Sequence, residues 1–166
     1  AASTFLRDTL ERVCEALGQG EKHRQKVARS FLLSCDNAHA VHPNHPELSD
    51  PNHSVKLNGG VVIKYNAAQH YTSDGVSAAL FQLLCEEAGV PFQRYANRAD
   101  MAGGSTLGNI ANTQVSLNTV DIGLPQLAMH SAWETAGAED TSSMVRALTV
   151  FYGKSLELTE NGLALV

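Results

Sequence analysis

The chain has no CxxC pair, and its three cysteines, Cys14, Cys35 and Cys85, are odd in number and far apart. That pattern argues against a disulfide framework or a structural zinc knuckle. It suits buried, reduced thiols in a cytoplasmic protein. Charge is sparse: 17% of residues are charged, and 12 Lys and Arg against 17 Asp and Glu leave a net charge of -5. No Lys/Arg stripe stands out, so a nucleic-acid partner is not expected. No apolar run approaches the ~18 residues a membrane-spanning helix needs, so no membrane span is expected. The opening Ala1-Ala2-Ser3-Thr4-Phe5 has no basic stretch followed by an apolar core, and no secretory leader is read there. Repeats and low-complexity tracts are also missing. What is present, 43% hydrophobic residues over 166 positions, is enough for one ordered domain with its own core.

Along the chain, Leu6, Leu10, Val13 and Leu17 recur at helical spacing behind a Ser3 or Thr4 cap, and Gly18 and Gly20 end that helix. The polar stretch Glu21 to Arg29 suits a short exposed helix. Ser30 to Cys35 is the first strand, followed by a proline- and histidine-rich loop from His42 to Gly60, long enough to suggest a role of its own. Val61 to Tyr65 is a β-branched second strand. Thr72-Ser73-Asp74 opens a helix with Val76, Leu80, Leu83 and Leu84 as its apolar stripe, ended by Gly89 and Pro91. Phe92 to Ala96 and Thr119 to Gly123 are further strands, with a helix from about Leu107 to Thr113 between them. The last helix is expected over roughly Asp140 to Leu156, with Met144, Ala147, Leu148 and Phe151 inward. Strands alternating with helices imply an α/β fold, a layered sheet flanked by helices on both faces.

The chemistry concentrates in Asp36-Asn37-Ala38-His39-Ala40-Val41-His42-Pro43-Asn44. A carboxylate at the end of an apolar strand is expected to be poorly solvated and to need a cation, a metal or several hydrogen bonds. A lone aspartate there is usually a cap or a turn residue; His39 and His42 close behind bring the two readings level. His45 and His53 read as solvated loop residues, and His42 as a loop-pinning imidazole. His130, in the turn opened by Pro125, gains interest only with Asp36, because Asp and His are ordinary zinc ligands. Glu86-Glu87 lies in the last turn of an amphipathic helix and reads as a solvated face. Gly103-Gly104-Ser105-Thr106 precedes a helix whose free N–H groups could receive an anion or a carbonyl oxygen, but it is not a phosphate-binding P-loop.

These patches together resemble the M18 family of zinc aminopeptidases, of the aspartyl-aminopeptidase type. The resemblance rests on Asp36 to Asn44, Gly60-Val61-Val62-Ile63-Lys64, Gln69-His70-Tyr71, Gly104-Ser105-Thr106-Leu107-Gly108 and Gln126-Leu127-Ala128-Met129-His130-Ser131. They follow the family's order over most of the chain after about Ser30. The resemblance implies the catalytic domain of a co-catalytic zinc exopeptidase with two zinc ions per complete site. Asp36 then resembles the non-bridging Asp on one metal and His130 the His on the other. His39, Lys64 and Tyr71 resemble substrate-contacting residues, with Lys64 suited to an acidic amino-terminal side chain. It further implies peptide substrates and a dodecameric homo-oligomer.

The family's His-x-Asp motif, bridging Asp and Glu-Glu pair have no counterpart here. Residues 1–166 are therefore expected to be the carboxyl-terminal portion of such an enzyme, beginning at Ala1-Ala2-Ser3 just beyond the Glu-Glu segment. The general-base glutamate would lie outside the chain, and this portion alone would be inactive. Two other readings compete. One is a non-catalytic α/β binding or assembly module without the metal-binding half. The other is a metal carrier using His39, His42, His45 and His53.

Overall fold

The computed structural model describes residues 2–160 and 162–166; Ala1, the first residue of the expected junction, lies outside them. In chain order the elements are helix α1 (Phe5–Ala16), a 3-10 turn at Gly20–Lys22, helix α2 (His23–Ala28), strands β1 (Phe31–Cys35) and β2 (Ala38–His39), a 3-10 turn at Pro46–Leu48, strand β3 (Val61–Tyr65), helix α3 (Gly75–Ala88), strand β4 (Phe92–Ala96), helix α4 (Leu107–Asn112), strands β5 (Asn118–Gly123), β6 (Pro125–Leu127) and β7 (Thr135–Ala136), helix α5 (Ala138–Tyr152) and strands β8 (Leu156–Thr159) and β9 (Gly162–Leu165).

The main sheet has the order β1-β5-β3-β4. β1 runs parallel to β5 and β3 parallel to β4, while β3 and β5 are antiparallel. Val61, Ile63, Val120 and Ile122 point to one face, where they pack with Ala78, Phe81, Leu84 and Cys85 of α3 and Met144 and Ala147 of α5. That is the principal core. The alternate positions point the other way. There α4 covers the β1–β5 side, with the Gly108 N–H donating to Ser34 Oγ at 3.1 Å. Val62 and Tyr95 form a second cluster with Ala38, Ala40, Val55 and Tyr71. The layered α/β arrangement with helices on both faces is thus present.

Helix α3 begins as expected: Asp74 accepts from Ser77 N at 2.7 Å, Ser77 Oγ accepts from Asp74 N at 3.0 Å, and Gly89 ends the helix in the left-handed conformation. Its inward face differs from the expected stripe. Val76 and Leu83 are exposed, and Ala78, Phe81 and Cys85 are buried with Leu80 and Leu84. The helix is apolar nearly all round, so side-chain spacing alone left its rotation undetermined.

Helix α1 forms as expected and buries none of its residues; Phe5 is 77% exposed. Two further expectations are corrected. The last helix stops at Tyr152, where Gly153 follows, and Leu156 begins the β8–β9 hairpin instead. The thiols are not uniformly buried: Cys85 is, Cys14 is half-buried and Cys35 is exposed, all three unpaired. Cys35 sits at the end of β1, an edge strand with only β5 beside it among the described residues. No helix among the described residues is long and apolar enough to cross a membrane.

Candidate active site

A turn and a second, three-stranded sheet build the site at the carboxyl ends of β1 and β5. After β1 the chain turns through Asp36 and Asn37 into β2, which lies parallel to β6 with His39 beside Gln126; β6 then pairs with β7. The turn is pinned by Asp36 N donating to Ile122 O at 3.0 Å and Ala38 N to Leu124 O at 2.8 Å. It passes so close to β5 that a Cβ on Gly123 would stand 1.7 Å from the Asp36 carbonyl oxygen. Only glycine permits that approach.

Asp36 is exposed, against the expectation of a poorly solvated carboxylate; its Oδ1 accepts from Asn37 N at 2.8 Å. The strand ends one residue earlier, at the open edge of the sheet, so water reaches the carboxylate. His39 is exposed as well, though partial burial of its ring, and then the nearby charges of His130 and Lys64, hold its pKa below the ordinary histidine value. His130 follows β6 in a turn with positive φ at Ala128 (54°) and His130 (67°). Its backbone N–H donates to Glu134 Oε1 at 2.6 Å.

Lys64, on β3, is only 2% exposed. Its Nζ donates to the carbonyls of Asp36 and Asn37, each at 3.2 Å, and lies 5.1 Å from the centre of the Tyr71 ring. Burial lowers its pKa, while Asp36 and Asp121 act in the opposite direction. Tyr71 is buried against Tyr95, with ring centres 6.2 Å apart, and donates from Oη to Asn97 Oδ1 at 3.3 Å. Burial above all pushes its phenol up to about 12. Lys64 thus joins the Asp36 turn to Tyr71, and the charge of His130 is felt at His39.

A cleft of ≈ 370 Å³ opens next to this group, lined among others by His39, His42, Tyr95, Arg98, Gln126 and Met129. One wall is the His42–Gly60 loop, held to the β4–α4 connection by Arg98, which donates to the Glu47 carbonyl and pairs with Asp100 at 2.7 Å. His42 Nδ1 accepts from Asn44 N at 3.2 Å, the expected loop-pinning role. His45 meets Glu47 at 3.1 Å and His53 meets Asp50 at 2.9 Å. The three loop histidines are thus engaged locally, the His42 and His45 rings lying 5.6 Å apart, and with His39 they form no metal-holding group among the described residues. Glu86 and Glu87 are exposed, and Glu87 pairs with Lys154 at 3.0 Å. At Gly103-Gly104-Ser105-Thr106, Gly104 lines the cleft.

Several residues with a part in the site gave little signal in the sequence. Asp121 lies within Val120-Asp121-Ile122, and a charge inside an apolar strand was the clue to it. It is fully buried, and Thr72 donates to its Oδ2 from both N (2.5 Å) and Oγ1 (2.7 Å). Gln126 is buried beside His39, and Glu134 and the exposed Trp133 belong to the His130 turn. These contacts depend on chain reversals that no local pattern announces.

Carboxylate and imidazole are donors that zinc takes, and Asp36 and His130 both stand open to solvent. Among the described residues, however, no three His, Cys, Asp or Glu side chains gather closely enough to hold a metal ion. The donors present fit a share of a metal site, not a whole one.

The model of the aminopeptidase I zinc metalloprotease family (M18) matches residues 1–152. A probable M18 family aminopeptidase 2 of Ectopseudomonas mendocina is 47% identical over 152 residues, covering 92% of this chain and 35% of that protein. Its counterpart in Mycobacterium leprae is 43% identical over 157 residues, covering 94% and 37%. Among solved structures, the chain is similar to one in the cryo-EM structure of the Ape4 and Nbr1 complex, with TM-score 0.87, 37% identity and coverage of 91% of this chain and 29% of that one. It is also similar to a chain of the S. cerevisiae mApe1 dodecamer, with TM-score 0.71, 25% identity and coverage of 85% and 32%. The chain spans about a third of the length of the curated relatives it matches. On the family match over most of its length, the chain belongs to the M18 family of aminopeptidases, a zinc metalloprotease family.

Proposed function

We propose that this chain supplies part of the active site of a zinc-dependent aminopeptidase that removes amino-terminal residues, acidic ones by preference, from peptides. The observation that carries this reading is the convergence of Asp36, His39, Lys64 and Tyr71 at the strand ends, with the charge of His130 felt at His39. Asp36 and His130 would each hold one of two zinc ions, with the remaining ligands and the general-base glutamate coming from outside these residues. When bound, zinc would supply Lewis-acid polarisation of the scissile carbonyl and activation of the attacking water.

This chain's own groups would bind and orient. The Asp36 carboxylate keeps the direction set by Asn37 N–H, and His130 the direction set by its turn. His39, mostly neutral near pH 7 because its pKa is lowered, would donate a hydrogen bond to the oxygen on which charge develops. Lys64 has three N–H donors and gives two to backbone carbonyls; the third would be left for the carboxylate of an Asp or Glu side chain. Assembly as a homo-dodecamer in the cytoplasm is part of the same proposal, supported by the dodecameric relative. The exposed apolar side of α1 is consistent with packing against further polypeptide.

A competing reading is a binding or assembly module without catalysis, favoured by the missing three-donor cluster among the described residues. Intact mass, metal analysis and hydrolysis of Asp- and Leu-anilides on one purified sample decide between them. The 166-residue chain alone should hold no stoichiometric zinc and turn over neither anilide. Joined to the rest of the polypeptide, it should hold about two zinc ions per site and prefer Asp-anilide. A complete protein without zinc or turnover would overturn the aminopeptidase reading. Turnover by the 166 residues alone would overturn the division of the site.

A further inference from the structure

We propose that Lys64 and Asp121 form a buried cross-strand pair that positions both walls of the candidate site, each residue holding a different one. β3 and β5 are antiparallel with Val62 opposite Gly123 and Ile63 opposite Ile122. One step further along this register puts Lys64 opposite Asp121, on the same face of the sheet. Parallel pairing extends the row: Asp121 stands beside Ser34 on β1, and Lys64 beside Tyr95 on β4. Ser34, Asp121, Lys64 and Tyr95 thus cross the whole sheet as one buried polar row, beneath the site and opposite the principal core.

The two charged members direct their hydrogen bonds to different segments. Lys64 Nζ holds the carbonyls of Asp36 and Asn37, the turn with the candidate metal ligand and the approach to His39. Asp121 Oδ2 holds Thr72 through both its N–H and its hydroxyl, and Ser73 Oγ bonds the Asp121 backbone N–H at 2.9 Å. Thr72 follows Tyr71 directly, so Asp121 fixes the backbone behind the Tyr71 ring. Asp121 Oδ1 is buried without a hydrogen-bond partner among the described residues. A carboxylate with one bare oxygen in a dry site is costly unless a cation is near, and Lys64, facing it in the β3–β5 register, is the buried cation on that face of the sheet. Removing Lys64 therefore leaves the Asp121 carboxylate buried without that cation, whereas removing Asp121 leaves Lys64 with Asp36 as its remaining opposite charge. Asp121 is a positioning residue here. The catalytic part of this inference rests on the aminopeptidase reading; the structural part does not.

The test uses the complete enzyme with D121N, K64M and the double variant, followed by hydrogen exchange on peptides spanning residues 70–74 and 35–39. D121N should lower protection over 70–74, and K64M over 35–39, each by about tenfold or more. The double variant should lose less stability in denaturation than the two single losses combined. In turnover, D121N should raise KM more than it lowers kcat, because it loosens a binding wall. Unchanged protection over 70–74 in D121N, or strictly additive losses in the double variant, would overturn the pair. Should D121N not fold, T72V removes only the hydroxyl donor, and its protection over 70–74 decides in the same way. Hydrogen exchange as expected in a protein without peptidase activity would sink the aminopeptidase reading and leave the pair standing.

Discussion

The carboxylate of Asp140 accepts hydrogen bonds from the backbone N–H groups of both Asn58 (2.7 Å) and Gly60 (2.8 Å), tying the first turn of α5 to the entry of β3. Asn58 returns the contact, its Oδ1 accepting from Glu139 N at 3.1 Å. The segment needs this clamp because Asn58 has a φ of 59° and Gly60 a φ of 93°, and at Gly60 a Cβ would stand 2.0 Å from the Pro91 carbonyl. The clamp sets where the His42–Gly60 loop rejoins the sheet, and hence one wall of the cleft.

Asp140→Ala should therefore destabilise the protein by roughly 2–3 kcal/mol, since one buried and one part-buried donor lose a charged acceptor. Chemical denaturation measures this. A loss within the ~0.5 kcal/mol typical of surface substitutions would mean that the clamp is incidental.

Phe81 is the large side chain at the centre of the principal core, fully buried between α3 and the sheet. Phe81→Ala should cost about 3–5 kcal/mol, against roughly 0.5 kcal/mol or less for Leu83→Ala two residues on, where the side chain faces solvent. The contrast in denaturation midpoints tests the rotation of α3; equal losses would contradict it.

That rotation marks what could be read from the sequence and what could not. Strands β3 and β5 of the main sheet were legible because Val61-Val62-Ile63 and Thr119, Val120 and Ile122 are β-branched residues in runs bounded by turns. The start and end of α3 were legible because Asp74 and Gly89 are local capping signals. Strands β2, β6 and β7 were not, being two or three residues long and formed only through pairing of distant segments. Of the candidate site, Asp36 and the histidines were singled out by motif. Asp121, Gln126 and Glu134 act through tertiary contacts and became visible only when the strands were laid side by side.

The thiols give a chemical contrast. Cys85 is buried in the core, and that burial above all pushes its thiol up to about 12. A thiol reagent at neutral pH should label Cys35 in the native protein and Cys85 only after denaturant is added, although partial burial also raises the Cys35 pKa. Mass mapping of labelled sites tests this, and native labelling of Cys85 would contradict its placement.

The same shift carries a pH dependence of known sign. The unfolded Cys85 thiol ionises near 9 while the folded one keeps its proton to about 12. The stability this group contributes is whole below pH 9 and is lost as pH rises through about 12. Tyr71, shifted from 10 to about 12, adds loss in the same direction. Stability should fall between pH 9 and 12, and Cys85→Ala should flatten the slope at its lower end. Denaturation midpoints across that range test it; an unchanged slope in the variant would assign the alkaline loss to other groups.

Arg98 joins the two edges of the cleft, donating to the Glu47 carbonyl on the histidine-rich loop while pairing with Asp100 on the β4–α4 connection. The ion pair alone is exposed and worth little to global stability. Its removal should act locally, because the loop has only the 3-10 turn at Pro46–Leu48 as regular structure. Arg98→Ala should leave the denaturation midpoint nearly unchanged while speeding proteolytic cleavage between His42 and Gly60 severalfold, the behaviour of a segment whose local opening is separate from global unfolding. Timed proteolysis with mapping of the cut sites distinguishes the cases. Faster cutting spread over the whole chain would make Arg98 a global contributor, and an unchanged rate would leave the loop held by its own internal bonds.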